Sequence, residues 1–336
     1  MEKHFSYSVI GTGAIGGYYG SLLQRSGKEV HFLLHSDYDH VKRHGLTIAS
    51  KNGDFTLPQV NAYNNPHDLP RCDVTIIALK ATANGILPDI LPHVVNKNGI
   101  ILLLQNGLGQ EELISAIAGV KTIVAGLCFV CSTKTGPGTI CHQDYGSVLL
   151  AQFTKDNTPS GITQIMQQIA ADLTTAGVTV EMEPDLIEAR WRKLVWNIPF
   201  SGLTTLLQAD TTHIVNSPSL QKLAKDLMYE VVEGAFALGR IIPESFIEKM
   251  IDNTQKMHPY FPSMKLDFEA GKSLELDAMY KKPLEAAATH GKRLTRIEML
   301  YEELSFLQEK NAPSLTITSA CVGFPNFSFL LSGYSD

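Results

Sequence analysis

Residues 11–16 read Gly-Thr-Gly-Ala-Ile-Gly, directly behind the apolar run Tyr7–Ile10 and directly ahead of a helical stretch. That placement commits the N-terminus to a strand, a tight turn and a helix, the context in which a glycine motif acquires chemical meaning. Gly11 permits the turn, Gly13 lets an anion approach the backbone, and Gly16 lets the helix pack close to the strand. With Thr12, Ala14 and Ile15 they form a cradle of amide N–H groups at a helix N-terminus, where the dipole favours a pyrophosphate. A glycine turn without a ligand is the alternative. The register of strand, loop and helix favours the dinucleotide.

The rest of the first half continues the pattern. Short apolar runs at 30–34, 74–79, 100–104 and 123–130 read as strands, and residues 14–26 and 162–176 read as helices. Strands without polar alternation are buried on both faces, so the sheet is expected to be parallel and covered by helices. The Gly-, Thr- and Ser-rich stretch 131–148 suggests hairpin strands, and 178–181 a last short strand. From about Glu183 the texture changes to helical spacing over 186–207, 220–238, 244–257, 276–290 and 297–310. The predicted architecture is α/β: an N-terminal Rossmann-type parallel-sheet domain over 1–182, then an all-helical domain over 183–311. The join falls at Glu183-Pro184-Asp185, with Pro184 starting the next helix. Residues 312–336, rich in Ser, Pro and Phe and without clear periodicity, are expected to be an irregular tail.

Composition excludes several function classes. The 336 residues carry 44% hydrophobic and 18% charged side chains, a globular balance. A net charge of −6 gives no support for a nucleic-acid surface. The apolar runs are far shorter than the roughly 20 residues that span a bilayer, and the N-terminus shows no signal-peptide pattern. Cys128 and Cys131 form a lone C-x-x-C without a second pair, in a strand-like run, and read as structural thiols rather than a metal site. Together with Cys72, Cys141 and Cys321 they make an odd count, which suits a reducing cytoplasm.

The end of the second strand bears on which dinucleotide binds. NAD sites usually place a carboxylate there for the ribose 2′-hydroxyl; here the strand is followed by His35-Ser36-Asp37. The absence of a carboxylate at His35 leans towards NADP, with His35, Ser36, Lys42 and Arg43 as candidate donors, and Asp37 keeps NAD in play. Lys80 and Asn106 follow the next buried strands, where cofactor and substrate lie in an open parallel sheet. In the second half, Lys193, Asn197 and Ser201 recur at one-turn intervals and form a polar stripe beside Leu194, Val195 and Ile198. Pro199 is expected to loosen that helix near Ser201. Ser263 follows a Phe-Pro pair, and Glu275 starts a helix after a glycine turn, where a carboxylate helps the dipole.

These motifs together resemble the 2-dehydropantoate 2-reductase (ketopantoate reductase) family over about residues 7–308. The resemblance rests on the glycine loop, Leu-Lys at 79–80, Gln-Asn-Gly at 105–107, Trp-Arg-Lys-Leu…Asn at 191–197, Pro-Ser-Met at 262–264 and Glu-Leu-Asp at 275–277. It implies NADPH-dependent reduction of 2-dehydropantoate to (R)-pantoate, towards pantothenate and coenzyme A. Lys193 then matches the general acid, Glu275 the active-site glutamate, and Asn106 and Ser263 the residues binding the substrate carboxylate end. Asn197 matches the asparagine at the substrate hydroxyl, and Lys80 a lysine of the cleft. Two positions depart from the family pattern: His35 stands where an Arg is often found, and Ser201 where a second Asn is common. Ser201 brings in reduction of a different 2-keto acid as an alternative, and a non-enzymatic nicotinamide-binding sensor is a third. The expected partner is a small-molecule 2-keto acid, with no nucleic acid, membrane or metal; a homodimer is left open.

Overall fold

The computed structural model describes residues 5–117 and 120–311; the expected tail at 312–336 lies outside the described residues. The apolar runs form the centre of a ten-stranded sheet. Its strands are β1 (Tyr7–Ile10), β2 (Val30–Leu33), β3 (Leu46–Ser50), β4 (Phe55–Leu57), β5 (Asn61–Tyr63), β6 (Cys72–Ile77), β7 (Val95–Leu103), β8 (Thr122–Gly136), β9 (Thr139–Gln152) and β10 (Val180–Met182). They lie in the order β4-β3-β9-β8-β7-β6-β1-β2-β5, with β10 paired to β9. The run from β8 through β7, β6, β1 and β2 to β5 is parallel. The β8–β9 and β3–β4 pairs are antiparallel, so the sheet is mixed rather than purely parallel.

Helices α1 (Ala14–Arg25), α2 (Tyr38–His44), α3 (Leu87–Val94), α4 (Gln110–Ser115) and α5 (Gln164–Thr175) accompany the strands. One core layer joins α1 and α5 to the sheet through Tyr19, Leu23, Val9, Phe32 and Ile169. A second layer, with Ile77, Leu103, Leu87, Leu91 and Ile114, covers the opposite face. Burial on both faces explains why the central strands carry no polar alternation. The helix after the glycine turn ends as read, with Gly27 at φ +91°. Strands β3, β4 and β5 are absent from the sequence reading; they are short and partly polar, β4 pairs with β3 as a local hairpin, and β3 and β5 take their other partners, β9 and β2, from distant segments.

Among the described residues no strand follows Met182; α6 (Leu186–Leu207), α7 (Thr211–Asn216), α8 (Pro218–Ala237), α9 (Glu244–Gln255), α10 (Ser263–Glu269), α11 (Lys282–Thr289) and α12 (Thr295–Asn311) follow. They pack around α6, whose Trp191, Leu194, Ile198 and Phe200 are all within the helical core. Each such fully buried side chain contributes about 1.5–3 kcal/mol. Pro184 lies just outside α6: the cap is Asp185, whose carboxylate accepts the Glu188 N–H at 3.0 Å. Pro199 does not interrupt α6, which runs through to Leu207. The expected single helix over 276–290 begins instead with a π-helical turn, Asp277–Lys281, before α11.

Candidate active site

The glycine turn, the loops after β2, β6 and β7, and one flank of α6 surround a single cleft of about 730 Å³. Gly11 sits at φ +95°, and a Cβ there would come within 2.6 Å of the Leu79 backbone N. It therefore lets the β1–α1 turn press against the chain leaving β6. A Cβ on Gly16 would meet the Gly11 carbonyl oxygen at 2.3 Å. Gly13 differs, because a Cβ there would meet nothing within 4 Å. As the N-cap of α1 it offers no side-chain acceptor to the first-turn N–H groups. An open approach above uncapped helix N–H groups fits an anionic pyrophosphate. Thr12, Ala14 and Ile15 also line the cleft, and the Thr12 hydroxyl donates to the Leu33 carbonyl at 3.0 Å, tying the turn to the end of β2.

His35 and Ser36 also line the cleft beyond β2 and are exposed. Lys42 and Arg43 are on the exposed side of α2 and are not among the residues lining the cleft. The cation present beside the β2 loop was not singled out from the sequence. Lys134, from β8, lies 2.6 Å from the Asp37 carboxylate. Asp37 is buried, and that burial works against its charge; hydrogen bonds from Lys134, the Gly138 N–H and Ser36, with the Lys134 charge, outweigh it and hold the carboxyl below its usual range. Lys134 stands 97 residues from Asp37 in sequence, so only the sheet order brings them together; the nearest local signal is the Gly-Pro-Gly turn that follows it.

Lys193 projects from α6 into the cleft and is half-buried. Its ammonium donates to Asn106 Oδ1 at 2.9 Å and to the Cys128 carbonyl at 2.8 Å. Burial, the largest influence, pushes its pKa down from 10.5 to about 8; the Cys128 and Glu275 side chains pull it up, and Arg190 adds to the fall. Asn197 and Ser201 line the same cleft one and two turns further along α6, with Ser201 buried. Ser263, the first residue of α10, is exposed on the cleft wall.

Glu275 is buried, and its Oε1 accepts the Ala81 N–H at 2.8 Å. Its carboxylate thus reaches across to the chain after β6 rather than capping its own helix. Lys80 lies 2.6 Å from Asp267 and 3.6 Å from Glu275. Burial alone would lower the Lys80 pKa, but the two carboxylates reverse that and raise it. The cleft therefore holds one cation with a lowered pKa and another with a raised one. The first releases a proton more readily, and the second stays charged.

Behind these groups lies a buried brace that the sequence did not reveal. Arg190, one turn before Lys193, donates to the Gln105 carbonyl at 2.6 Å and pairs with Glu111, both ions being almost fully buried. Gln105 and Gln110 both bond to Asn84. Gly107, at φ +84°, lets the loop close on the π-helical turn, where the Leu108 N–H donates to the Ala278 carbonyl at 2.9 Å. The available signal was a cation on the apolar face of α6, one turn from Leu194. Cys128 and Cys131 lie on β8 and line the cleft as free thiols, each with its pKa pushed up to about 11 by burial.

A mostly parallel sheet with a glycine turn, facing a helical half that supplies a half-buried amine, defines a two-part dinucleotide-dependent oxidoreductase. Comparison with known proteins narrows this. Residues 7–155 match the family described as ketopantoate reductase PanE/ApbA, and residues 185–308 match its C-terminal domain. The chain belongs to the ketopantoate reductase family. It is 49% identical to a 2-dehydropantoate 2-reductase from Nostoc sp. over 93% of this chain and 98% of that one. The crystal structure of 2-dehydropantoate 2-reductase from Geobacter metallireducens is similar with a TM-score of 0.85 at 39% identity, covering 91% of this chain and 99% of that one. The enzyme of the same name from Methylococcus capsulatus gives a TM-score of 0.84 at 31% identity, over 92% and 99%. No helix among the described residues is long and apolar enough to cross a membrane.

Proposed function

We propose that the chain reduces 2-dehydropantoate to (R)-pantoate with NADPH, and that Lys193 is the general acid. The observation that carries this reading is the half-buried Lys193 ammonium, held by Asn106 and the Cys128 carbonyl inside the cleft onto which the glycine turn opens. Gly11, Thr12, Gly13, Ala14, Ile15 and Gly16 hold the pyrophosphate, and His35, Lys80 and Asn106 flank the rest of the dinucleotide. When bound, the nicotinamide supplies the reducing equivalent.

The chain's own groups do the remainder. Lys193 Nζ donates a proton to the substrate carbonyl oxygen and stabilises the negative charge developing there. Its pKa of about 8 keeps the amine charged at neutral pH yet able to part with a proton. Glu275, anchored by the Ala81 N–H, accepts from the substrate hydroxyl with Asn197 beside it. Asn106 and Ser263 receive the carboxylate end, and Ser201 shapes the floor. The four cysteines among the described residues are free thiols, which supports a reducing, cytoplasmic setting, and a homodimer is the proposed assembly, which light scattering checks.

The test is oxidation of NADPH against NADH with ketopantoate supplied, in the wild type and in Lys193→Ala. The expected result is a preference for NADPH and a loss of about 10²–10⁴-fold in kcat for the variant, with little change in NADPH affinity. Normal turnover by Lys193→Ala removes the assigned acid. A second reading, reduction of another 2-keto acid, is favoured by one observation: Ser201, shorter than asparagine, lies on a wall that also presents Trp196, Met250 and Tyr260. Rates on branched and aromatic keto acids separate the two.

A further inference from the structure

We propose that Lys134, a residue of the β8–β9 hairpin, is the specificity determinant that reads the 2′-phosphate of the cofactor, and that it does so while neutralising Asp37. This rests on the cleft being a nicotinamide-dinucleotide site and goes beyond it by naming the group that tells NADPH from NADH.

The position after the second strand of a Rossmann sheet faces the ribose 2′ position. Here that position holds His35 and Ser36, and the nearby carboxylate is Asp37. A free Asp37 would accept a ribose hydroxyl and repel a phosphate, favouring NADH. It is not free. Its Oδ2 takes the Lys134 ammonium at 2.6 Å and the Gly138 N–H at 2.9 Å, and its Oδ1 takes the Ser36 hydroxyl at 3.1 Å. Lys134 lines the cleft beside these residues and is about one-third exposed, with a relative side-chain accessibility of 34%. An ammonium has three N–H donors, so the bond to Asp37 leaves others for a phosphate in the cleft.

The hairpin holds this cation in place. Gly138, at φ +62°, brings the turn against the chain that follows α2, and a Cβ there would meet the Gly45 carbonyl at 3.0 Å. The Thr47 N–H donates to the Gly138 carbonyl at 2.8 Å, and β3 pairs with β9 from Thr139 onward. Lys134 is therefore delivered to the β2 loop by strand pairing rather than by the loop itself, and its position does not depend on an arginine following β2.

The experiment measures binding, not turnover: fluorescence titration of the full chain with NADPH and with NADH, and calorimetry with 2′,5′-ADP and 5′-AMP, for wild type, Lys134→Gln and Lys134→Arg. Lys134→Gln should weaken NADPH and 2′,5′-ADP by about 10- to 100-fold, as expected for loss of a charge-assisted hydrogen bond. NADH and 5′-AMP should bind as well as before or more tightly, because Asp37 loses its neutralising ammonium and can accept a ribose hydroxyl, and Lys134→Arg should keep most of the discrimination. Equal weakening of NADPH and NADH, or unchanged NADPH binding, overturns the assignment. Absence of ketopantoate turnover alongside a shifted NADPH-to-NADH ratio would instead count against the proposed reaction and leave this inference standing.

Discussion

Replacing Lys193 with methionine should stabilise the fold at neutral pH while abolishing turnover. Burial lowers the Lys193 pKa from 10.5 to about 8, so the unfolded chain holds this proton more tightly than the folded one. Stability then rises with pH wherever the unfolded state binds more protons. The cost of the buried charge is therefore complete below about pH 8 and vanishes as pH climbs from about 8 to 10.5. At about 1.4 kcal/mol per pKa unit, the cost is on the order of 3 kcal/mol. Methionine keeps an apolar stem of similar length and carries no charge. Asn106 Oδ1 and the Cys128 carbonyl lose their donor but face the cleft, where water replaces it, which returns about 1 kcal/mol. The net gain expected at pH 7 is about 2 kcal/mol. Urea unfolding followed by circular dichroism near pH 7, 9 and 10.5 reads it: the variant should lead at the lowest pH, and the gap should close at the highest. A variant less stable than wild type at neutral pH, or a gap indifferent to pH, would refute the reasoning.

Three other outcomes follow from the same geometry. Reduction of the keto acid should fall about tenfold per pH unit above about 8 as Lys193 loses its proton; a kcat/KM profile flat to about pH 9.5 would show that another group is the acid. Glu111→Gln leaves the Arg190 cation buried without its counter-ion, and urea titration should show a loss of about 3–5 kcal/mol; a loss below about 1 kcal/mol would mean that water reaches the pair. Gly11→Ala should destabilise by about 2–4 kcal/mol, from the positive φ and the contact with Leu79, and should weaken NADPH in a fluorescence titration. Unaltered binding would show that the turn has room to shift.

The legible parts were those written in contiguous residues. The glycine turn needs only neighbours along the chain, so strand, turn and helix could be read from Tyr7 to Arg25. The α6 stripe is a local periodicity, so Lys193, Asn197 and Ser201 could be grouped, and the structure brings all three to the cleft. Strands β3 to β5 escaped because three to five residues of mixed polarity do not distinguish a strand from a loop; pairing partners decide. Lys134 and Arg190 escaped for a related reason. Lys134 looks like an ordinary strand cation, and Arg190 stands out only as a cation on an apolar helix face; the role of each depends on a carboxylate from a distant element, Asp37 or Glu111. The π-helical turn at Asp277–Lys281 carries an ordinary helical spacing, and its departure becomes visible only where it meets the Asn106–Leu108 loop.

The Arg190–Glu111 pair spans the two halves of the chain, since one ion belongs to α6 and the other to α4. A chimera that grafts the helical half of one relative onto the sheet half of another would have to transplant both members together. Splitting them would bury a lone charge at the seam, directly behind the loop that carries Asn106.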